Sequence, residues 1–310
     1  MNGNPDLFEA IVELPDARMR ERYDSLVGLD EVKDRLAKEA RLLLHPAALE
    51  QWSQKFHKVR IRACDAFADR HPVFLFAGDV GTGKTALAES FGDEVAQSIE
   101  VPIFLYRLSL ASRGSGAVGE MTQLLSAAFD EVRGVAKGPR SRDGNPSSAV
   151  ILLIDEADAL AQSRETSQMH HEDRAGVNAL IRGINSLTEH QLPVLVVLAT
   201  NRLGAIDPAV RRRAAATFFF DRPDDNQRKI ALTRLLDGTS PTTTEIADLV
   251  KATGPTNGRP YGYTYSDLYQ RLVPAGVLTA YPDQAMTVKL LLDAAKTVEP
   301  TPPFAEEVSA

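Results

Sequence analysis

The segment Gly78-Asp79-Val80-Gly81-Thr82-Gly83-Lys84-Thr85 fits the pattern G-x-x-x-x-G-K-[ST], and that pattern demands a particular backbone. Its glycines let successive N–H groups turn inward around an anion, which bulkier residues would block. It also demands a buried strand before the loop and a helix after it. Val73 to Ala77 is a short, wholly apolar run, and Thr85 to Ala96 has helical character. The helix would add its positive N-terminal end to the loop amides. Lys84 is expected to reach the β- and γ-phosphates of ATP, and the Thr85 hydroxyl to ligate Mg²⁺. Asp79, Val80, Gly81, Thr82 and Gly83, with Ala86 just beyond, complete the expected nucleotide cradle.

The same alternation continues along the chain. Ile103 to Leu108, Val150 to Ile154 and Val194 to Ala199 read as strands, and Phe218 to Phe220 as a possible edge strand. Between them, Met121, Leu124, Leu125, Ala128, Phe129 and Val132 mark one helix face, and Val177, Leu180, Ile181, Ile184 and Leu187 another. Strands that alternate with helices imply an α/β fold, a parallel sheet covered by helices on both sides. Upstream, a helical pattern begins at Leu29 and stops before Pro46, and a second covers Ala47 to Phe67. Gly138 to Ser148 reads as a loop. The pattern changes at Asp221-Arg222-Pro223, beyond which only helical stretches follow. The expected organisation is an irregular arm over 1–25, a large α/β domain over 26–221, a small all-helical lid over 222–299 and an extended tail over 300–310.

Ile151-Leu152-Leu153-Ile154-Asp155-Glu156 supplies the second half of the chemistry. An apolar strand ending in two carboxylates delivers them to the edge of the sheet, where an α/β fold binds its ligands. Asp155 is expected in the Mg²⁺ shell, and Glu156 as the group that polarises the attacking water.

Composition removes several alternatives. The net charge is −7 and the pI about 5.5, an unfavourable bulk field for a nucleic-acid binder. No stretch approaches the roughly 20 apolar residues of a membrane helix. The acidic N-terminus, with Pro5 and Pro15, lacks the basic and apolar regions of a secretory signal. A single cysteine, Cys64, excludes an internal disulfide and fits a reducing cytosol, so the expected location is cytoplasmic. The six histidines show no metal-ligand spacing.

With these motifs in place, the chain resembles the AAA+ superfamily, and its AAA proteins proper in particular, over about Tyr23 to Pro302. Tyr23 to Lys33, with Val27-Gly28 at its centre, resembles the linker that such proteins place over the adenine base. Ala199-Thr200-Asn201-Arg202 is similar to their sensor segment, which implies that Asn201 contacts the γ-phosphate or the lytic water. Gly262 to Leu268 resembles the start of the lid helix. Ile206 to Arg213 is similar to the arginine-finger region, and alignment on Asp207-Pro208-Ala209 puts Arg212 at the finger. The family's second arginine has no match, because Ala215 stands there. A finger acting on the neighbouring subunit implies a ring or spiral, and the resemblance implies a homohexamer, the commonest form in this family.

Where the family's first pore loop carries a gripping aromatic, this chain has Ser112-Arg113-Gly114-Ser115; its second pore loop falls near Ser163 to Glu172. The closest resemblance within the superfamily is to the pachytene-checkpoint ATPases, which unfold part of HORMA-domain proteins. It rests on Ser25 to Lys33, Ser112-Arg113 with Gly119, Val177-Asn178-Ala179 and Leu272-Val273-Pro274. About 25 residues precede the motor, as in the bacterial short form linked to cGAS-like nucleotidyltransferases in anti-phage signalling. The implied function is an ATP-driven protein remodeller acting on a folded, HORMA-type partner, with no nucleic acid or membrane involved. A clamp-loader-type nucleic-acid motor and a non-threading NTPase switch or scaffold are the alternatives.

Overall fold

The computed structural model describes residues 7–110, 119–138, 146–160 and 170–304. By internal contacts these fall into two compact units. One comprises the described residues of 1–25, 31–77 and 85–219; the other comprises those of 26–30, 78–84 and 220–310.

The first unit is built on most of a six-stranded sheet with strands β1 Ala10–Leu14, β2 Val73–Gly78, β3 Ile103–Ser109, β4 Ala149–Asp155, β5 Val194–Thr200 and β6 Ala216–Phe220, in the order β1-β3-β4-β5-β2-β6. β3, β4, β5 and β2 pair in parallel, and every residue of β4 and β5 is buried. Strands covered on both faces read as continuous apolar runs rather than alternating ones, which is how Val150–Ile154 and Val194–Ala199 appear in the sequence. The helices include α2 Asp30–Leu44, α5 Lys84–Ile99, α6 Glu120–Ala136 and α7 His170–Glu189. Leu125, Phe129 and Val132 of α6, with Leu180, Ile184 and Leu187 of α7, bury their apolar faces in the core that contains β4 and β5. Phe218 and Phe220 belong to the terminal strand β6, as their sequence suggests.

The N-terminal residues differ from the irregular arm expected of them. Ala10–Leu14 pairs antiparallel with β3, in register Ala10↔Arg107 through Leu14↔Ile103, and α1 follows over Ala17–Ser25. Leu14 is fully buried, and Phe8 meets Tyr106 edge-on at 4.8 Å. The turn into α1 is held by Asp93 of α5, which is fully buried and accepts a hydrogen bond from the Asp16 amide at 2.8 Å. The stretch 47–67 also departs from one continuous helix. It is two helices, α3 Ala47–His57 and α4 Arg62–Ala68, separated where Lys58 adopts φ 60°. Buried Ser53 holds the break: its hydroxyl donates to the Val59 carbonyl at 2.7 Å and accepts from the Ile61 amide at 3.1 Å.

The second unit is helical beyond residue 220, with α9 Asp225–Leu235, α10 Thr243–Thr253, a π-helical turn Asp267–Leu272, α11 Val273–Ala280 and α12 Val288–Ala294. Its core gathers Leu232, Leu249, Tyr263, Leu268, Leu272 and Leu291. Asp224 and Thr242 open α9 and α10 with capping boxes, each satisfying orphan amides of the first turn. Among the described residues no helix is long and apolar enough to cross a membrane.

Docking of β1 is testable by Leu14→Ala. Emptying a fully buried leucine site costs about 2–5 kcal/mol, so a clear fall in the denaturant midpoint is expected at an unchanged slope. A loss below about 1 kcal/mol would mean that β1 is not packed against the sheet.

Candidate functional site

Because β2, β4 and β5 run parallel, Ala77, Asp155 and Thr200, at or next to the ends of their strands, share one edge of the sheet. Asp155 is mostly buried, and its Oδ1 lies 3.4 Å from the Thr85 hydroxyl at the start of α5. A hydroxyl beside a carboxylate suits Mg²⁺, a hard cation that takes few protein oxygens and fills its shell with water and phosphate. No cluster of three or more His, Cys, Asp or Glu able to hold a metal unaided occurs among the described residues.

The other Asp155 oxygen is 3.5 Å from the Arg107 guanidinium. Arg107 stands on β3 and also pairs with Glu9 and with buried Glu89. Sequence reasoning did not single it out. The available signal was a charged residue inside the otherwise apolar run Ile103 to Leu108.

Glu156 turns out of the strand into solvent at φ 54°, and its amide donates to Asp155 Oδ1 at 3.0 Å. A non-glycine residue in the left-handed region stores on the order of 1 kcal/mol or more, and such strain concentrates at working sites. Asn201 follows β5 half-buried. Before it, buried Thr200 donates to Asp158 at 3.1 Å and accepts from the Arg202 amide at 3.0 Å, which fixes the backbone on either side of Asn201.

The phosphate loop, 78–84, clusters with the helical segment. Gly81 adopts φ 75°, and a Cβ there would come within 2.7 Å of both Ser266 and Thr264. Its carbonyl accepts from the Ser266 amide at 3.1 Å. Thr82 and Lys84 are buried; the Lys84 ammonium donates to the Gly78 and Asp79 carbonyls at 3.0 and 2.7 Å. Val80 is exposed. Val27 is buried, and the Gly28 carbonyl accepts from the Gln227 side chain at 2.9 Å. A Cβ on Gly28 would lie 2.7 Å from the Tyr265 hydroxyl. That hydroxyl is buried without a hydrogen-bond partner among the described residues, and burial pushes its pKa up to about 12. Glycine-lined backbone, a buried lysine and an unpaired buried hydroxyl make a donor set that fits a nucleoside triphosphate.

The three arginines of the finger region separate. α8, Pro208–Arg211, is capped by Asp207, whose carboxylate accepts from the Ala209 amide at 2.6 Å. Arg213 turns inward, donating to Asn185 of α7 at 3.1 Å and to the Ala209 carbonyl at 2.9 Å. Arg211 and Arg212 are exposed. Arg113, Gly114 and Ser115 of the first pore-loop segment, and residues 163–169 of the second, lie outside the described residues.

Comparison with known proteins follows the same lines. A sequence profile of the "ATPase family associated with various cellular activities (AAA)" matches residues 74–222. CD-NTase-associated protein 6 of Escherichia coli strain MS 115-1 is 50% identical over 307 residues, covering 98% of this chain and 99% of the relative. Among solved structures, a chain of the E. coli MS115-1 HORMA:CdnC:Trip13 complex superposes with a TM-score of 0.89 at 48% identity, covering 98% of this chain and 100% of that one. Rhizobiales Trip13 gives 0.73 at 42%, covering 96% and 100%.

The separation of the arginines predicts a stability difference. Arg213→Ala removes two hydrogen bonds from a charged donor and should cost about 1–3 kcal/mol. Arg212→Ala, at an exposed position, should stay within about 0.5 kcal/mol. Equal losses in denaturant unfolding would show that Arg213 does not anchor α8.

Proposed function

The chain belongs to the AAA family of ATPases, and from that premise we propose that it is a homohexameric, ATP-driven remodeller of a HORMA-domain protein that switches off anti-phage signalling by a cGAS-like nucleotidyltransferase. The observation that carries this reading is the likeness, over 98% of the chain, to a chain solved in a HORMA:CdnC:Trip13 complex. The 50% identity to a CD-NTase-associated protein over 98% of the chain supports it.

In this reading the loop amides of 79–85 and the Lys84 ammonium bind the β- and γ-phosphates, while Val27 and Gly28 flank the base. Ala86 extends the cradle into the first turn of α5. Thr85 and Asp155 are the residues that would hold Mg²⁺, which, when bound, neutralises charge on the phosphates. Arg107 keeps the Asp155 carboxylate oriented through its second oxygen. The Glu156 carboxylate, projected into solvent by its left-handed backbone, accepts the proton of the attacking water. Asn201 orients that water or the γ-phosphate. Arg212, exposed at the end of α8, reaches the neighbouring subunit's ATP and stabilises charge on the transferring phosphoryl group. Arg213 carries no part of the chemistry and holds the short helix that presents Arg212.

Variants of Glu156 and Arg212 test this. Glu156→Gln is expected to bind ATP, to hydrolyse it at least about a hundredfold more slowly and to retain the HORMA-domain protein in affinity capture. Wild-type turnover would remove Glu156 from the role of base. Recovery of a nucleic-acid-associated partner in place of a HORMA protein would remove the remodelling assignment. Arg212→Ala should lose turnover by a factor of about 10³ or more while keeping ATP affinity. Mixing it with Lys84→Ala subunits should restore part of the activity, because an intact site can then meet an intact finger across an interface. Unchanged turnover in Arg212→Ala would show that another residue is the finger.

A further inference from the structure

The second position of the phosphate loop is occupied by an aspartate. A carboxylate within a loop built to surround a polyphosphate sets like charge beside like, unless its own charge is neutralised and its oxygens are committed elsewhere. Both conditions are met at Asp79. Its Oδ2 accepts from Nε of Arg222 at 2.6 Å and lies 2.6 Å from Nη2 of the same guanidinium. Its Oδ1 accepts from the Val80 amide at 2.8 Å and from the Phe304 amide at 3.1 Å. The pair is largely shielded, with side-chain exposures of 17% for Asp79 and 13% for Arg222.

Arg222 is itself held on every side. Its Nη1 donates to the Gly262 carbonyl at 2.7 Å and its Nη2 to the Thr301 carbonyl at 2.8 Å, and the guanidinium sits 5.0 Å from the centre of the Tyr261 ring. Thr301 is tied down in turn by fully buried Asp267, which accepts from its hydroxyl at 2.7 Å. The guanidinium therefore cannot drift from the carboxylate without breaking contacts to three separate stretches of chain. The Asp79 carbonyl, on the same residue, accepts from Lys84 Nζ at 2.7 Å and from the Thr82 hydroxyl at 2.7 Å. Whatever fixes the Asp79 side chain thus also fixes a backbone oxygen that positions the loop lysine.

We propose that Arg222 is a positioning residue for ATP: it neutralises Asp79, turns that carboxylate away from the phosphates and holds the loop backbone against which Lys84 is placed. The inference rests on the reading of the loop as an ATP site and deepens it. Arg222 touches no reacting atom, so its loss appears in nucleotide affinity and not in the chemical step.

The experiment titrates a fluorescent ATP analogue into the full chain and its variants, with melting curves recorded in parallel. Arg222→Gln keeps a polar, hydrogen-bonding side chain but removes the charge, and should weaken binding about tenfold, with kcat within about threefold of wild type. Because the penalty is electrostatic, it should shrink as salt is raised from about 50 mM to 500 mM. Adding Asp79→Asn to Arg222→Gln removes the stranded carboxylate and should recover most of the lost affinity. Wild-type affinity in Arg222→Gln would overturn the inference. So would a double variant as weak as the single one, since the pair would then serve folding only. Arg222→Lys, which keeps the charge and loses the fork, guards against a folding artefact: near-wild-type affinity is expected whatever its melting temperature, and a tenfold loss would count against the charge argument. A wild-type chain that failed to bind the analogue would overturn the ATP reading as well; binding that is indifferent to Arg222 overturns this inference alone.

Discussion

β4 is hydrogen-bonded along both edges, to β3 from Ile103↔Ala149 through Ser109↔Asp155 and to β5 from Val150↔Val194 through Ile154↔Leu198, and all of it is buried. A strand so enclosed has no register to slip into: a shift by one residue would turn its side chains to the opposite faces of the sheet and break both ladders. Asp155 is the last residue of this strand, and its position is inherited from that immobility. The Thr85 hydroxyl at 3.4 Å and the Arg107 guanidinium at 3.5 Å then settle how its two oxygens point. Strain can be kept at Glu156 because the neighbour on its N-terminal side cannot relax to relieve it. The adjacent strand ends in the same manner, with Thr200 locked to Asp158 immediately before Asn201.

Against this rigid edge, two of the groups proposed to act on other molecules are exposed. Glu156 and Arg212 face solvent, whereas their neighbours Asp155 and Arg213 are buried or partly buried and hydrogen-bonded. The contrast between Arg212 and Arg213 is instructive because the two are adjacent and chemically identical. One guanidinium is satisfied by Asn185 and a backbone carbonyl; the other is left exposed at the end of a capped turn. Charge alone could not separate them in the sequence, since the separation depends on an acceptor on α7, 28 positions away.

Legibility in the sequence followed the range of the interactions involved. The phosphate loop and the Asp155-Glu156 pair were readable because each is a contiguous run whose chemistry is local. β4 and β5 were readable because burial on both faces makes a strand apolar throughout. β1 was not: it is an edge strand with mostly exposed positions, and only Leu14 is buried, so its sequence looks like that of a polar arm. The break between α3 and α4 was hidden for a different reason. It has no glycine or proline, and is made by Lys58 in the left-handed region together with the hydroxyl of Ser53, which no helical periodicity reports. Arg107 could be seen as an oddity in a strand, but its partners Glu9, Glu89 and Asp155 come together only when the sheet is assembled.

The acidic residue of the phosphate loop shows how far such nonlocal compensation reaches. Read locally, Asp79 is one of four variable positions between the fixed glycines Gly78 and Gly83, and nothing in the motif distinguishes it from Val80. Its neutralising partner is 143 positions away, and the amide that occupies its other oxygen is 225 away. Those distances matter physically because the partners belong to segments with other attachments: Arg222 to Gly262 and Thr301, Thr301 to Asp267, and Ser266 to the carbonyl of Gly81. Asp267 supplies the firm end of the chain of contacts. Burial alone would raise its pKa, but amide and hydroxyl donors from Thr264 and Thr301 outweigh that and hold it below the usual carboxylate range. The carboxylate is therefore ionised wherever the protein is near neutral pH, and it keeps accepting from Thr301 throughout. The loop at Asp79 and Gly81 is consequently held at two points, by Ser266 just before the π-helical turn and by Phe304 in the segment after α12. In that arrangement the glycine at 81 supplies room for Thr264 and Ser266 as much as it supplies backbone freedom, and the placement of Lys84 depends on side chains far outside the motif that contains it.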